Sequence, residues 1–223
     1  MKLKDVGERA LLELARDICE KGERIKLGVG DDGAAVELGE DLLIITTDML
    51  VSNIHFTSKT PTEQIGRKAI VVNLSDVAAM GADPIGLVYS VGLPEDLEVE
   101  FVSDLLKSMN STARYYGTSL IGGDINEAEE IIVSGTAFGT TTKERLLLRS
   151  GANKGDLIGV TGELGAATAA VKASMENIDL GNKKSLKKAL EEPTARVKEG
   201  KILSETGKVT SAIDITDGLA ANL

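Results

Sequence analysis

The sequence predicts an α/β fold divided into two domains. Helical and strand-like patterns alternate along the chain, as they do where strands and helices share one core. A turn-rich segment follows Arg149, at residues 150–155, and is typical of a domain junction. The length of 223 residues allows one large domain or two small ones. We therefore divide the chain into residues 1–148 and 149–223.

Hydrophobic periodicity assigns the elements of the first domain. An amphipathic helix is predicted over residues 5–21, because apolar side chains recur there at helical spacing. A long helix begins at Pro61-Thr62 and ends close to Met80, where Gly81 stops it. A third helix covers residues 97–116. The predicted strands are residues 26–29, 34–38, 42–47, 85–91, 119–121 and 131–138.

The second domain carries fewer elements. Parallel strands need neighbouring strands and covering helices. Two strands with an unfinished last helix therefore predict a second α/β domain that is incomplete. The predicted strands are residues 157–160 and 209–213, and the helices are residues 165–173, 186–190, 195–204 and a segment beginning near Asp217.

Charge and cysteine content exclude several classes of protein. The net charge of −10 argues against a nucleic-acid partner and against an anionic membrane surface. No apolar run approaches the roughly 20 residues of a membrane-spanning helix, and the start lacks the apolar core of a signal peptide. Cys19 is the only cysteine, which indicates a reducing compartment and predicts a cytoplasmic protein.

Five short segments each bring an aspartate to the end of an apolar strand or onto a buried helix. Two carboxylates at ~4 Å repel each other by ~4 kcal/mol at an effective dielectric of ~20. Several such groups are stable together when a divalent cation lies among them, and oxygen ligands without histidine or cysteine select Mg²⁺ or Ca²⁺. The segments are residues 28–33, 44–48, 73–76, 121–124 and 213–218.

The first of these segments also matches the dinucleotide-binding pattern G-x-G-x-x-G. Asp31 and Asp32 inside the loop would repel a pyrophosphate. A strand follows at residues 34–38, whereas a dinucleotide site needs a helix there. We therefore reject a dinucleotide site. The sequence also lacks the pattern G-x-x-x-x-G-K-[ST] of P-loop enzymes.

Asp76 is the strongest single candidate for a metal ligand. It lies on the long predicted helix, which is apolar on nearly every side and is therefore expected to be buried. A carboxylate in that position needs a cation or a hydrogen-bond donor. Thr46 and Asp48 alternate onto one face of their strand, and Thr47 turns toward the same site if the strand ends there.

At these residues the chain resembles the thiamine-monophosphate kinase family, within the superfamily that includes aminoimidazole-ribonucleotide synthetase. The resemblance covers the whole chain as an ordered set of motifs, which makes it specific. The motifs are Gly30-Asp31-Asp32, Thr46-Thr47-Asp48, His55-Phe56, Asn73-Leu74-Ser75-Asp76 with residues 78–84, Gly122-Gly123-Asp124, Arg149-Ser150-Gly151-Ala152, and Asp214-Ile215-Thr216-Asp217-Gly218-Leu219.

The resemblance implies a two-domain, synthetase-like architecture. Its first domain, a mixed sheet with flanking helices, would bind ATP and Mg²⁺ and form a homodimer. The implied reaction is transfer of the ATP γ-phosphoryl group to thiamine monophosphate, giving thiamine diphosphate and ADP. His55 would contact the substrate, and no general base is required. By likeness, the Mg²⁺ ligands are Asp32, Thr46, Thr47, Asp48, Asp76, Asp124, Asp214 and Asp217, and the ATP contacts are Gly123, Asp124, Arg149 and Thr216.

Two departures from the family pattern leave alternatives open. After Asp124 the family often has Thr-Thr-Arg or similar residues, whereas this chain has Ile125-Asn126-Glu127, which leaves a basic contact from that loop open. The family continues past position 223, and residues that grip the thiamine moiety lie in that continuation. One alternative is another ATP-using enzyme of the superfamily, of the hydrogenase-maturation type. The other is a truncated, non-catalytic nucleotide-binding module that dimerises.

Overall fold

A six-stranded mixed sheet organises residues 25–142. The computed structural model describes residues 2–176, 178–179, 181, 183–216 and 218–222. The strands are β1 (Ile25–Leu27), β2 (Ala34–Leu38), β3 (Asp41–Val51), β4 (Asp83–Leu93), β5 (Leu120–Glu127) and β6 (Ile132–Thr142). Their order in the sheet is β1-β2-β3-β6-β4-β5. Only β4 and β5 pair in parallel, and the other neighbours are antiparallel.

Helices flank this sheet and continue after it. In the described part of the chain they are α1 (Glu8–Ile18), α2 (Thr62–Ala79), α3 (Val99–Tyr115), α4 (Ala166–Met175), α5 (Lys184–Glu191), α6 (Val197–Glu205) and α7 (Leu219–Asn222). Helix α3 connects β4 to β5, because a parallel pair requires a crossover of this kind. Among the residues that the structure describes, none of the helices combines the length and the apolar character needed to cross a bilayer.

The core lies between α2 and one face of the sheet. Ile70, Leu74 and Val77 of α2 are fully buried, and they share a cluster with Val133 and Ala137 of β6. Along β6 the odd-numbered residues are buried and the even-numbered residues are half-buried, as the alternation of side chains in a strand requires. The two faces of the sheet are therefore distinct, one packed under α2 and the other partly open.

The α/β pattern predicted for the first domain is confirmed, but four strands, β3 to β6, are longer than predicted, and two of them carry candidate aspartates. The strand predicted at residues 42–47 runs from Asp41 to Val51, and the one predicted at 119–121 is β5. Asp48 and Asp124 therefore lie inside strands, and the expectation that they stand at strand ends is wrong. The reason is backbone pairing: Asp48 lies opposite Gly135, and Asp124 opposite Ser90. A ladder of peptide groups continues past polar side chains.

The two strands predicted for the second domain are wrong. Residues 157–160 and 209–213 form no strand, and Leu157 is 98% exposed. An apolar run becomes a strand only where a neighbouring backbone satisfies its peptide groups. Residues 210–212 instead run beside residues 148–151 and share one backbone hydrogen bond, from Ala212 N to Leu148 O at 2.9 Å. The boundary between residues 148 and 149 stays a prediction.

Helix α6 packs closely on α2 and brings the later part of the chain near it. A Cβ at Gly200 would lie 2.1 Å from the carbonyl oxygen of Ala78, so the two helices touch through backbone. Lys201 also pairs with Asp83 at 2.7 Å. These contacts anchor the segment that leads to Asp214 beside the C-terminal end of α2.

Candidate metal site

Asp32 is placed by the glycine-rich loop between β1 and β2. Gly30 has φ +125°, a backbone conformation that glycine adopts without strain, and its carbonyl accepts a hydrogen bond from Arg16 at 3.0 Å. A Cβ at Gly33 would lie 3.1 Å from the backbone oxygen of Ile45, so the loop rests directly on β3. The Asp32 side chain is thereby fully buried. The loop thus presents a carboxylate to the sheet instead of cradling a phosphate.

Asp76 reaches the site from α2 and meets the strand β3 beneath it. The Thr46 hydroxyl donates a hydrogen bond to Oδ2 of Asp76. Two residues along the strand, the backbone N–H of Asp48 donates to Oδ1 of Asn73 at 3.2 Å. Thr46 and Asp48 therefore share the face of β3 that lies under α2, as the alternation of the sequence predicts.

Asp214 comes from the irregular segment near the end of the chain. The Ser75 hydroxyl donates to Oδ2 of Asp214 at 2.8 Å, which ties this segment to α2. The Ser211 hydroxyl donates to the backbone oxygen of Arg149 at 2.7 Å. Side-chain nitrogen Nδ2 of Asn222 donates to the backbone oxygen of Asp214 at 3.0 Å. These bonds hold Asp214 at the site without a strand.

Three carboxylates converge where these segments meet. Asp32, Asp76 and Asp214 each offer an oxygen, and the three oxygens lie within 4.8 Å of one another. Arg149 pairs with Oδ1 of Asp32, through its Nε at 2.7 Å and through Nη2. The other oxygen of Asp32, Oδ2, is buried and accepts no hydrogen bond from the described residues. One guanidinium therefore faces three carboxylates, and a buried oxygen is left unsatisfied.

The electrostatics of the cluster oppose full ionisation. Burial raises the pKa of Asp76 to about 8, and the nearby Asp214 and Asp48 add to the rise against the hydrogen bond from Thr46. Burial also raises the pKa of Asp32 to about 6, even though Arg149 acts in the opposite direction. The pKa of Asp48 is raised by burial and by Asp214. Without a cation, these carboxylates hold protons that they would lose in water.

The donor set fits a hard divalent cation. All the converging groups are carboxylate oxygens, and the unsatisfied buried oxygen of Asp32 needs a positive partner. Mg²⁺ typically takes one or two carboxylates and fills the rest of its shell with water and phosphate oxygens. Asp32, Asp76 and Asp214 could therefore hold such an ion and leave positions open for a phosphate ligand.

The structure separates two of the predicted residues from this cluster. The Thr47 hydroxyl points to the opposite face of β3, where it donates to the backbone oxygen of Gly135 at 2.7 Å. The strand does not end at Thr47, which was the condition for its hydroxyl to join the site. Asp124 is exposed on β5, two strands beyond the neighbour of β3, with Asn126 bonded to its carboxylate. Gly123 lies beside Asp124, and a Cβ on Gly123 would come within 1.9 Å of the backbone oxygen of Tyr89.

Two of the remaining predicted residues, His55 and Thr216, are exposed. His55 is exposed in the turn after β3, where its Nδ1 accepts the N–H of Val51 at 2.9 Å. The charge of His55 lowers the pKa of Asp48, against the larger effect of burial, so the two side chains are near each other. Thr216 is exposed two residues after Asp214. Asp217 lies outside the described residues.

Several residues that build the site carried no predicted role. Asn73 and Ser75 precede Asp76 in one short motif; Asn73 accepts the backbone N–H of Asp48, and Ser75 donates to the carboxylate of Asp214. Asp31 accepts the backbone N–H of Arg149 at 3.2 Å. The sequence contained a usable signal for Asn73, because it lies one helical turn before Asp76 on α2. The partners of Ser75 and Asp31 are distant in sequence, so nothing local predicts them.

Comparison with known proteins assigns the family. The family described as AIR synthase related protein, N-terminal domain, matches residues 30–141, half of the chain. Thiamine-monophosphate kinase from Aquifex aeolicus is 35% identical over an alignment of 228 positions that covers 100% of this chain and 70% of the relative. The chain belongs to the thiamine-monophosphate kinase family. The kinase of Pyrococcus horikoshii is 40% identical over 195 residues, 87% of this chain and 61% of that protein.

Solved structures of the kinase family share the fold. AaThiL, solved in complex with AMPPCP and TMP, has a TM-score of 0.90 at 35% identity and covers 100% of this chain. The chain covers 70% of that structure, so it spans about two-thirds of the length of these kinases. The complex of HypE with HypF gives a TM-score of 0.61 at 22% identity over 79% of this chain. That likeness shows a common fold alone.

Proposed function

We propose that the protein acts as a thiamine-phosphate kinase, which transfers the γ-phosphoryl group of ATP to thiamine monophosphate and releases ADP. Membership of the kinase family supports this proposal, as does the likeness to a relative solved with AMPPCP and TMP. The observation that carries it is the convergence of Asp32, Asp76 and Asp214 within 4.8 Å. A reaction between two phosphates needs a site of this kind, because both reactants are anions.

Mg²⁺ at these carboxylates would neutralise the phosphates and stabilise charge in a loose transition state. Asp32, Asp76 and Asp214 would hold it directly. Thr46 orients Asp76, and Asp48 lies two residues further along the same strand face. Thr47, Asp124 and Asp217 complete the ligand set that the resemblance implies.

The transfer is proposed to be direct and in line. The acceptor phosphate is already ionised near neutral pH, so the protein need not remove a proton from it. The residues of the protein bind and orient the two phosphates and neutralise their charge, and none of these residues becomes phosphorylated. Rapid mixing with γ-labelled ATP followed by acid quenching tests this point. Recovery of a labelled phosphoprotein would overturn direct transfer.

Gly123 and Asp124 are proposed to contact ATP together with Arg149 and Thr216. Gly123 and Asp124 line an open depression of about 410 Å³ along β5. Apolar side chains of Tyr89 and Leu106 also line it, which suits a flat heterocyclic base. Arg149 suits a phosphate, since a guanidinium donates to two phosphate oxygens at once.

The protein is also proposed to form a homodimer. Asp124 on β5 is three strand spacings from Asp48 on β3, roughly 14 Å across the sheet. Two aspartates this far apart cannot ligate one cation within a single chain. A second copy is proposed to pack on the open side of the sheet, the side that carries Asp124 and Met49. Met49, 53% exposed on that open side, is the kind of apolar residue that such an interface buries.

His55 is proposed to contact the thiamine monophosphate. Its Nδ1 is held by the backbone of Val51, and its Nε2, which bonds to none of the described residues, can face a ligand. Lys68 of α2 fixes the same turn by donating to the backbone oxygen of His55 at 3.0 Å. The cytoplasmic location stays a prediction from the single cysteine.

Release of ADP that depends on thiamine monophosphate is the decisive measurement. The chain is incubated with ATP and Mg²⁺, with and without the acceptor. We expect Asp76→Asn to abolish nearly all turnover and to leave the fold intact by circular dichroism. Asp104→Asn, in an exposed pair with Lys107 on α3, is the matched control and should keep activity. Unchanged activity in Asp76→Asn would rule out its metal role.

A nucleotide-binding module without catalysis is the second candidate. It is favoured by the exposure of the apolar side chains of Leu157 and Ile158, which are 98% and 74% exposed in a segment predicted to be a strand. Retained binding of Mg-ATP without turnover would select it. A maturation enzyme of the HypE type would use ATP with no response to thiamine monophosphate, and its likeness to this chain is one of fold.

A further inference from the structure

The ion pair between Arg149 and Asp32 lies within the carboxylate cluster. Arg149 donates to Oδ1 of Asp32 through Nε at 2.7 Å and also through Nη2. The Asp32 side chain is 0% exposed, and the Arg149 side chain is 42% exposed. The Asp32 carboxylate is therefore buried, whereas the Arg149 guanidinium lies at the surface.

The backbone of Arg149 is anchored independently of its side chain. Its N–H donates to the Asp31 carboxylate at 3.2 Å, and its carbonyl accepts the Ser211 hydroxyl at 2.7 Å. Release of the guanidinium from Asp32 would leave both of these bonds in place. The side chain can therefore change partner by rotation about its own bonds, without unfolding the segment that carries it.

A divalent cation and this guanidinium compete for the same carboxylate. Asp32, Asp76 and Asp214 present oxygens within 4.8 Å of one another, and Asp32 contributes both an oxygen bound by Arg149 and one with no hydrogen-bond partner in the described part of the chain. Two positive groups on one buried carboxylate repel each other strongly in a poorly solvated site. A phosphate offers the displaced guanidinium a bidentate partner at the surface.

We propose that Arg149 is an exchangeable counter-ion: it neutralises Asp32 while the metal site is empty, leaves when a divalent cation binds, and then binds a nucleotide phosphate. This inference rests on the metal and nucleotide sites of the proposed function and not on the identity of the acceptor. It makes binding of metal and nucleotide mutually dependent. Arg149 weakens binding of the metal alone and strengthens binding of nucleotide once the metal is present.

Titration with Mn²⁺ alone, followed by the electron paramagnetic resonance of the free ion, tests the exchange. We expect Arg149→Gln to bind Mn²⁺ about five- to hundredfold more tightly than the unchanged chain when no nucleotide is present. Relative to its own affinity for Mn²⁺, the same variant should bind Mn-ADP more weakly than the unchanged chain does. Lys143→Gln is the matched control, because it removes one positive charge from an exposed pair with Glu37 and should leave Mn²⁺ affinity unchanged.

Equal or weaker Mn²⁺ binding by a folded Arg149→Gln variant would overturn the exchange. If that variant does not fold, Arg149→Lys keeps the charge but loses the planar fork, and an intermediate gain in Mn²⁺ affinity is expected. In the unchanged chain, the Nε–H resonance of Arg149 should move on addition of Mg²⁺, and a resonance that stays in place would also overturn the proposal. If the Mn²⁺ titrations give the expected result but the chain releases no ADP with thiamine monophosphate, the kinase activity is refuted and the exchange of Arg149 still stands.

Discussion

The Thr46 hydroxyl donates its hydrogen bond to the carboxylate of Asp76, and this bond joins strand β3 to helix α2 at the metal site. Thr46 is 6% exposed, so its hydroxyl cannot exchange this bond for one to water without moving. The bond favours the charged form of Asp76 against burial, which opposes it. The bond therefore favours the ionised carboxylate, which is the form that binds a cation.

Replacement of Thr46 by valine tests the role of this bond. Valine keeps the shape of the side chain and removes the donor, so the Mg²⁺ affinity should fall by about 10- to 100-fold, as it does when an outer-shell partner is lost. Thr46→Ser keeps the hydroxyl and should keep most of the affinity. Mn²⁺ titration measures both variants. Thr140→Val, on the open face of β6, is the control, and equal losses in Thr46→Val and Thr140→Val would show that the bond to Asp76 has no special role.

The stability of the metal-free protein should fall as the pH rises toward 8. Burial raises the pKa of Asp76 to about 8, whereas its value in the unfolded chain is near 3.8. Between these values the folded state holds a proton that the unfolded chain has released, so the free energy of unfolding decreases with rising pH. Burial of Asp32 acts in the same direction up to a pKa of about 6.

Urea unfolding in the presence of a chelator, at pH values of about 5.5 and about 8, measures this dependence. Asp76→Asn cannot titrate, so its free energy of unfolding should change less between the two pH values than that of the unchanged chain. Excess Mg²⁺ should restore stability at the higher pH, because the cation replaces the proton. A pH dependence that is identical in the unchanged chain and in Asp76→Asn would contradict the raised pKa.

Gly135 lies against two side chains next to the metal site, those of Tyr89 and Asn73. A Cβ at this position would lie 2.4 Å from the Tyr89 ring and 2.6 Å from Nδ2 of Asn73. Gly135→Ala should therefore lower the free energy of unfolding by about 1–3 kcal/mol, the usual cost of overpacking. It should also weaken metal binding, because Asn73 holds the backbone of Asp48.

Thermal unfolding and Mn²⁺ titration check this prediction together. Gly122→Ala is the control for stability, since a Cβ there would meet only Val88 at an ordinary contact distance of 3.9 Å. We expect a clear loss of stability in Gly135→Ala and little change in Gly122→Ala. A stable Gly135→Ala protein with unchanged metal affinity would show that Asn73 moves aside freely.

Met49 tests the proposed interface between two copies. It is 53% exposed on the open face of β3, where a lysine would be tolerated in a monomer and would be costly at a buried interface. Met49→Lys should convert a dimer into monomers in sedimentation velocity. Val99→Lys, at a residue 76% exposed at the start of α3, should leave the dimer intact. Monomers in the unchanged chain, or dimers in Met49→Lys, would exclude this face as the interface.

Local patterns in the sequence determined much of the fold and part of the site. The alternation of β3 placed Thr46 and Asp48 on one face, and the apolar stripes of α2 indicated that the helix is buried, with Asp76 half-buried on it. Both features depend on the fixed period of a strand or a helix, so a single segment contains all the information needed. The acidic motifs likewise identified Asp32 and Asp214 as candidates before their distances were known.

Only the tertiary structure decided which of these groups meet. Asp32, Asp76 and Asp214 converge, whereas Asp124 lies across the sheet, because β6 and β4 are inserted between β3 and β5. The pairing of Arg149 with Asp32 joins residues 117 positions apart. Strand order and long-range contacts depend on how all the elements pack, and no short segment encodes them. For the same reason residues 157–160, apolar enough for a strand, form none where no neighbouring backbone pairs with them.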